Sequence, residues 1–581
     1  MFASFGKDVP SHAVASRLFL AVLLAVAMLV PATSARALTP TVREFSSGIT
    51  AGRVPSSIAA GPDGNLWFTE RGPSNPAIGR IDPITQRIDE FSSGLPSNSD
   101  PTEITAARDR NLWFTDRGTT KAIGRINPAS HDIDEFSMGL PSSTDPHGIA
   151  AGPDGNVWFT DLNAAAIGRI DPASHHIDEF SGGLNAGSFP PEIAPGPDGN
   201  LWFSDIGTTP AVGRVTPGGA IEEFSLNASR SPLGLASGPD GNVWFAEQAP
   251  SAAIGRINPA SHAIRDFSAG LKPGSSPTSI ALGADGALWF IDRGATPAIG
   301  RIETGGAIQE FPVAAGIDPV DLTTGRDGNV WFTDDDSTPA IGRITTPPFA
   351  RTGDAAVLGA GAARVAGFVN GHAQPTSYRF LYGGSSGYGS ASAATSAGSG
   401  IANVPAQARL SGLRPATTYH YRLAGANPTG TTAGADATFT TLPLPRVRAL
   451  RVRPRIWHAG SRRVRVARKR RRPVGTRISF SLNRRARVRL RFFAVRRGRR
   501  VHGRCRPPTP RNRHARRCRR LRPAGRISFA GHKGRNRVRF QGRISKTKRL
   551  RPGRYRLTVT AIDRTVAKRS SRSATFRIVR G

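Results

Sequence analysis

Eleven residues ahead of each of seven recurring tryptophans the chain carries Ser56, Thr102, His147, Pro191, Leu233, Thr278 and Val320. Only His147 in this series ionises near neutral pH. Asp145 lies two positions before it, and Asp161 ends the "VWFTD" segment beyond the intervening "GPDG" turn. If the turn closes a regular hairpin about Asp154, His147 and Asp161 face each other across adjacent strands, with Cβ atoms about 5 Å apart. Asp145 then shares the face of His147. An imidazole beside two carboxylates has the parts for proton transfer, or for holding a divalent cation.

The elements that must position these groups follow from a repeat. Trp67, Trp113, Trp158, Trp202, Trp244, Trp289 and Trp331 recur every 42 to 46 residues, "IGR(I/V)" follows each of them, and an acid followed by Phe occurs seven times, from Phe45 to Phe311. Each unit reads as four short strands joined by Asp-Gly, Gly-Asn and "DPASH" turns. A unit of this size cannot bury both faces alone, so the units stack radially into a seven-bladed β-propeller over residues 38–348. The isolated "VREF" (Val42 to Phe45) at the start and the missing acid-Phe strand after the seventh "IGRI" imply that the N-terminal strand completes the last blade. A solenoid would leave terminal caps instead of matching half-repeats.

The repeated "GPDGNLWFTE" (Gly61 to Glu70), with "IGRI" and an acid-Phe strand, resembles the streptogramin B lyases, also called virginiamycin B lyases, over about Leu38 to Thr346. The resemblance implies a seven-bladed propeller that opens a cyclic depsipeptide lactone by elimination. A base removes a proton α to a carbonyl, Mg²⁺ on carboxylates stabilises the enolate-like charge, and the lactone C–O bond breaks without water. It assigns the base to His147 and the metal to Asp145 and Asp161. The chain departs from the family in having aspartates for glutamates, Thr102 where a second histidine is expected, and its histidine in an earlier blade.

The other acids after "WF", Glu70, Asp116, Asp205, Glu247, Asp292 and Asp334, occur in every blade and are read as structural acceptors of loop amides. His131, His175, His176 and His262, in or beside the "PASH" hairpin, are expected on the outer surface with a turn role. The chain contains no P-loop, HExxH or EF-hand loop, so nothing points to an NTPase or zinc protease.

Two further β domains follow. Residues 349–442 alternate as strands, and Leu413, Pro415, Thr418, Tyr419 and Tyr421 give a likeness to a fibronectin type III sandwich, in which a tyrosine locks a strand corner. Residues 443–472 read as a basic linker or first strand, and 473–581 as an Arg-rich β-sandwich in which apolar residues alternate with arginine. The fold class is thus all-β, a propeller plus two C-terminal β-sandwich domains. Of 79 Lys and Arg, 50 lie from Arg446 onward against one acid, Asp563, while the preceding residues carry 29 against 40 acids. A mildly acidic body with a polycationic tail favours an anionic cell-envelope polymer or nucleic acid as partner. The two cysteines, Cys505 and Cys518, read as a disulfide in an exported chain.

Export is expected because Arg17, an apolar run from Leu18 to Val30 and the small-x-small pattern ending at Ala37 form a signal peptide, residues 1–37, too short to span a bilayer. The expected product is a monomer, secreted or associated with the envelope. Two functions stay open: a Mg²⁺-dependent carbon–oxygen lyase, or a non-catalytic binding or scaffold propeller held at the cell surface by its tail.

Overall fold

The computed structural model describes residues 38–72, 75–248, 250, 252–459, 473–545 and 547–580. The signal-peptide segment, residues 1–37, and residues 460–472 of the basic stretch lie outside the described residues. Strands dominate, and the described residues contain one short 3-10 turn, Pro510–Asn512.

Seven four-stranded antiparallel sheets form the propeller. The third blade, Pro146–Ala151, Val157–Asp161, Ala166–Ile170 and Ile177–Phe180, is typical. The seventh takes three strands from Pro319–Thr324, Val330–Asp334 and Ala340–Ile344 and its outer strand from Val42–Phe45, with Val42 opposite Ile344 and Phe45 opposite Ile341. The ring is therefore shut by its own first strand, which leaves no open edge between first and last blades.

The repeated residues explain each blade. Asp154 in the "GPDG" turn accepts the backbone N–H of Asn156 (3.2 Å), its side-chain amide (2.7 Å) and the indole N–H of Trp158 (3.2 Å). The fully buried Trp158 thus has its one polar atom satisfied. Its ring stacks on Phe180 at 5.6 Å, and the Arg169 guanidinium sits 5.5 Å from Trp158 and 5.2 Å from Phe180. The hairpin histidines add to this layer, so the expected exposure is corrected for three of them, which do sit in the turns. His131, His175 and His262 are half-buried in left-handed conformations, with φ of 65°, 59° and 57°. They stack on Phe91, Phe136 and Phe224 of the preceding blade at 4.0–4.2 Å. His131 and His175 also accept from Arg80 and Arg125, so these histidines staple neighbouring blades, and His176 alone of the four is exposed.

The glycine of "IGR" is required by contact. A Cβ at Gly168 would lie 2.0 Å from Cζ of Phe159, and all seven blades repeat this approach. Gly168→Ala should destabilise the propeller by about 3 kcal/mol through overpacking. Gly182→Ala, with nothing within 4 Å, should stay within about 0.5 kcal/mol. Denaturant titration of the two variants tests the difference.

One irregularity decides the site. On the third blade's inner strand Pro146 pairs with Asp161 and Ile149 with Phe159, so the strand carries one extra residue. The same bulge follows the inner-strand proline in five other blades. A bulge breaks strict alternation, so both residues between proline and Ile or Leu reach the channel. The expected pairing of His147 with Asp161 is corrected: Pro146, not His147, stands opposite Asp161.

Beyond the propeller, one sandwich packs the sheet Phe349–Val357, Ala362–Asn370, Val404–Ser411 against a sheet centred on Thr376–Gly383 and Thr418–Ala426. The N–H of Arg414 donates to the Tyr419 hydroxyl at 2.9 Å. His372 seals the junction with the propeller: it is 1% exposed, its Nδ1 lies 2.8 Å from Thr346 Oγ1, and burial holds its pKa below the ordinary value. The second sandwich begins with Val447–Arg453 and Ile456–His458, which join its two sheets, so strands occupy the first part of the 443–472 segment. Asp563, the one acid after Arg446, accepts the N–H of Ala360 at 2.8 Å and pairs with Arg484. Together with the Thr565 hydroxyl, which accepts the N–H of Gly361 at 2.9 Å, it joins the two sandwiches.

Candidate active site

The inner strands of all seven blades line one cavity of about 400 Å³ on the propeller axis. With the bulges of six blades, it is ringed twice. The first ring is Ser56, Thr102, His147, Pro191, Leu233, Thr278 and Val320. The second, one residue on, includes Glu103, Glu192, Ser279 and Asp321. Gly148 and Gly234 stand at second-ring positions where a Cβ would meet the next inner strand's backbone within 2.9 Å.

His147 has a defined tautomer. Its Nδ1 lies 2.9 Å from the Pro191 carbonyl oxygen, which can only accept, so Nδ1 carries the proton and Nε2 holds the lone pair. Nε2 has no hydrogen bond among the described residues. The ring is 21% exposed, and Glu192 Oε1 is 3.9 Å from Nδ1. Burial, helped by the positive charge of Arg117, holds the imidazole below its ordinary pKa against the opposing Pro191 bond and Asp145 charge. At neutral pH His147 is an uncharged base.

The two aspartates are placed differently from the expectation. Asp145 is clamped by Arg117 at 2.9 and 2.5 Å and by Lys121 at 3.2 Å. Burial raises its pKa, but these cations outweigh it and the carboxyl stays below its usual range. The arrangement is not peculiar to the third blade, because Asp100 pairs with Arg71 and Asp318 with Arg293 in the same way between blades. Asp161 is fully buried, and its Oδ1 accepts the N–H groups of Asp145, Asn163 and Ala164 at 2.9–3.1 Å while Oδ2 accepts the Thr144 hydroxyl. Both carboxylates are therefore committed, and the pair does not fit a Mg²⁺ site. Among the described residues no three His, Cys, Asp or Glu side chains converge as metal ligands.

The remaining repeat acids are buried in the same layer. Asp116, Asp205, Asp292 and Asp334 each accept the N–H of the residue sixteen positions earlier and of the residue two positions later. Where the acid is the longer glutamate an arginine takes over, Arg230 for Glu247 and Arg53 near Glu70.

The acids that reach the cavity are Glu103, Glu192 and Asp321. Asp321 accepts from Ser57 and Ser279 at 2.8 Å and from the N–H of Ile58 at 2.9 Å, which ties three blades together. Burial and then the neighbouring Asp321 push Glu192 up, and burial with both other acids pushes Glu103 well up. Both shifts favour the protonated form, which can donate. Strict alternation hides these acids in the sequence. The position ten residues before each tryptophan, which reads Ser57, Glu103, Gly148, Glu192, Gly234, Ser279 and Asp321, varies between blades as His147's position does and could have revealed them. One cavity thus holds a base with a depressed pKa and two acids with raised ones, an opposition of the kind acid–base catalysis uses, with Arg71, Arg117 and Arg293 also lining it.

The Virginiamycin B lyase family profile matches residues 41–271 and 251–352. A solved streptogramin B lyase is 32% identical, covering 53% of this chain and 97% of its own, with a TM-score of 0.47. A catalytically inactive histidine-to-alanine variant of virginiamycin B lyase from Staphylococcus aureus, solved with quinupristin, is 31% identical over 53% of this chain and all of its own, with a TM-score of 0.47. No curated protein matches the chain.

Proposed function

Because the chain belongs to the virginiamycin B lyase family, we propose that its propeller is a carbon–oxygen lyase that opens a cyclic depsipeptide lactone, with His147 as the base. The observation that carries this reading is the Pro191 carbonyl, which fixes the His147 tautomer and leaves Nε2 to take a proton in a channel cavity. Nε2 removes the proton on the carbon α to a carbonyl. That electron pair becomes a carbon–carbon double bond as the adjacent C–O bond breaks, and the ester leaves as a carboxylate. No water is consumed. Positive charge from Arg117 beside His147 and a proton donor in Glu192 or Glu103 favour the enolate-like oxygen that develops.

Incubation of the purified chain with a streptogramin B tests the reading by mass spectrometry coupled to chromatography. Elimination gives an opened product of unchanged mass, whereas hydrolysis adds one water. Since Asp145 and Asp161 are already engaged, opening should survive EDTA. A hydrolysed product, or no product at all, overturns the proposal. The second reading, a channel that binds without turnover, is favoured by the commitment of those same aspartates to the frame, and a bound but intact lactone would support it. In either case the N-terminal segment supports export, with the mature chain beginning after Ala37.

A further inference from the structure

The longest strands among the described residues, Ala486–Val501 and Arg517–Gly531, lie in the second sandwich. Up to Ala494 the first is flanked by Gly553–Ile562, which pairs with it from Ile562 to Tyr555. Beyond that point its neighbours are Arg517–Gly531 and the short Arg504–Arg506 alone. A three-stranded arm therefore extends past the sheet. Residues 496–520 contain twelve arginines, no acid and no Phe, Tyr or Trp, and ten of the twelve arginines are exposed.

The arm is braced. Cys505 and Cys518 sit on strands either side of the central one and are joined by a disulfide with a Cα separation of 6.0 Å. The bridge passes over Gly498, where a Cβ would lie 2.6 Å from Cys505 Sγ. Within the adjoining sheet, burial and the like charges of Arg491, Arg526, Arg569 and Arg487 hold Arg489 below its ordinary pKa. A stiff strand repeats same-face side chains about every 7 Å, so the arm offers an ordered double row of guanidinium groups, which suit phosphate oxygens bidentately.

We propose that this arm docks a linear phosphodiester polymer of the cell envelope, a chain of phosphates without bases. The choice of an envelope source rests on the export reading. Charge complementarity supplies the attraction, and the missing aromatic side chains argue against a single-stranded nucleic acid, whose bases would find nothing to stack on.

The test uses the full chain and poly(glycerol phosphate), titrated between 50 and 200 mM salt. Six phosphate contacts on a flexible chain give a log–log slope of about −4, a loss of about 300-fold over that range. Glutamine at Arg496, Arg497, Arg504, Arg506, Arg511 and Arg513 should flatten the slope and weaken binding about 100-fold at 50 mM. Glutamine at Arg448, Arg451, Arg477, Arg535, Arg537 and Arg539, exposed on the opposite sheet, removes the same charge and should leave affinity within about threefold. Equal losses from the two sets, a flat salt response of the unmodified chain, or tighter binding to a short DNA duplex at matched salt would each overturn the proposal.

Discussion

Replacing His147 with alanine should slow lactone opening by about 10²- to 10⁴-fold, the contribution of a positioned general base. Truncation alone does not identify a base, because the side chain also ties the third blade to Pro191 of the fourth. His147→Gln separates the roles: its amide can still donate to the Pro191 carbonyl but has no basic nitrogen. Both variants should retain the melting temperature within a few degrees and lose turnover alike. The unmodified chain adds a signature in pH. Burial and Arg117 place the imidazole pKa below 6.5, so the acid limb of kcat/KM should fall below pH 6.5. A limb centred above 7, or activity retained by the glutamine variant, would assign proton abstraction elsewhere.

The propeller should melt about 10 °C lower at pH 9 than at pH 6. The cause lies in paired carboxyls between the second and outer strands of the blades: Glu135 with Asp116, Glu179 with Asp161, Glu223 with Asp205, Glu310 with Asp292, and Glu44 with Asp334. In each pair burial and then the facing carboxyl raise the outer-strand acid, Glu179 to about 7. Several oxygens of these groups, Asp116 Oδ2, Asp205 Oδ2, Asp334 Oδ2, Glu179 Oε1 and Glu223 Oε1, are buried without a partner. One proton shared by each pair would give them one.

Such groups bind a proton more tightly in the folded chain than in the unfolded one. Below about pH 4.5 both states hold it, and as pH rises the unfolded chain releases it first, so stability falls until the folded pKa is passed. A tenfold difference in proton affinity between the two states corresponds to about 1.4 kcal/mol. Five pairs, heavily discounted for solvent screening, still amount to a few kcal/mol, or on the order of 10 °C. His147 and His372 act oppositely, because their depressed pKa values cost stability as pH falls below 6.5. Stability should peak near pH 5 to 6, and Glu179→Gln should flatten the alkaline side. Calorimetry across pH tests both statements, and a melting temperature still rising at pH 9 would refute the shared protons.

The propeller is legible in the sequence because its signals are repeated: seven tryptophans, seven "IGR" glycines and a half-repeat at each end leave few alternatives. The site is legible only in part. His147 breaks the repeat and does line the channel. Its expected pairing with Asp161 fails because alternation along a strand is the only register that spacing can convey, and one extra residue after each inner-strand proline undoes it. The same residue brings Glu103 and Asp321 into the cavity with no sign in the alternation, and Glu192 reaches it just ahead of the fourth blade's short inner strand, Ile193–Pro195. Asp145 misleads for a different reason. Its partner Arg117 lies 28 positions away in another blade, and the analogous Asp100–Arg71 and Asp318–Arg293 pairs show the role only when the blades are set side by side.

Closing the ring with Val42–Phe45 also makes time a variable. That strand meets Ala340–Ile344, and Thr41 bonds to Thr345, 304 positions later. At about 5–20 residues per second the first strand waits roughly 15–60 s for its partner to be synthesised. Throughout that interval the nascent chain offers one unpaired strand and a growing row of blades, each with an apolar face awaiting the next. Until the last blade emerges, those surfaces have no partner within the chain.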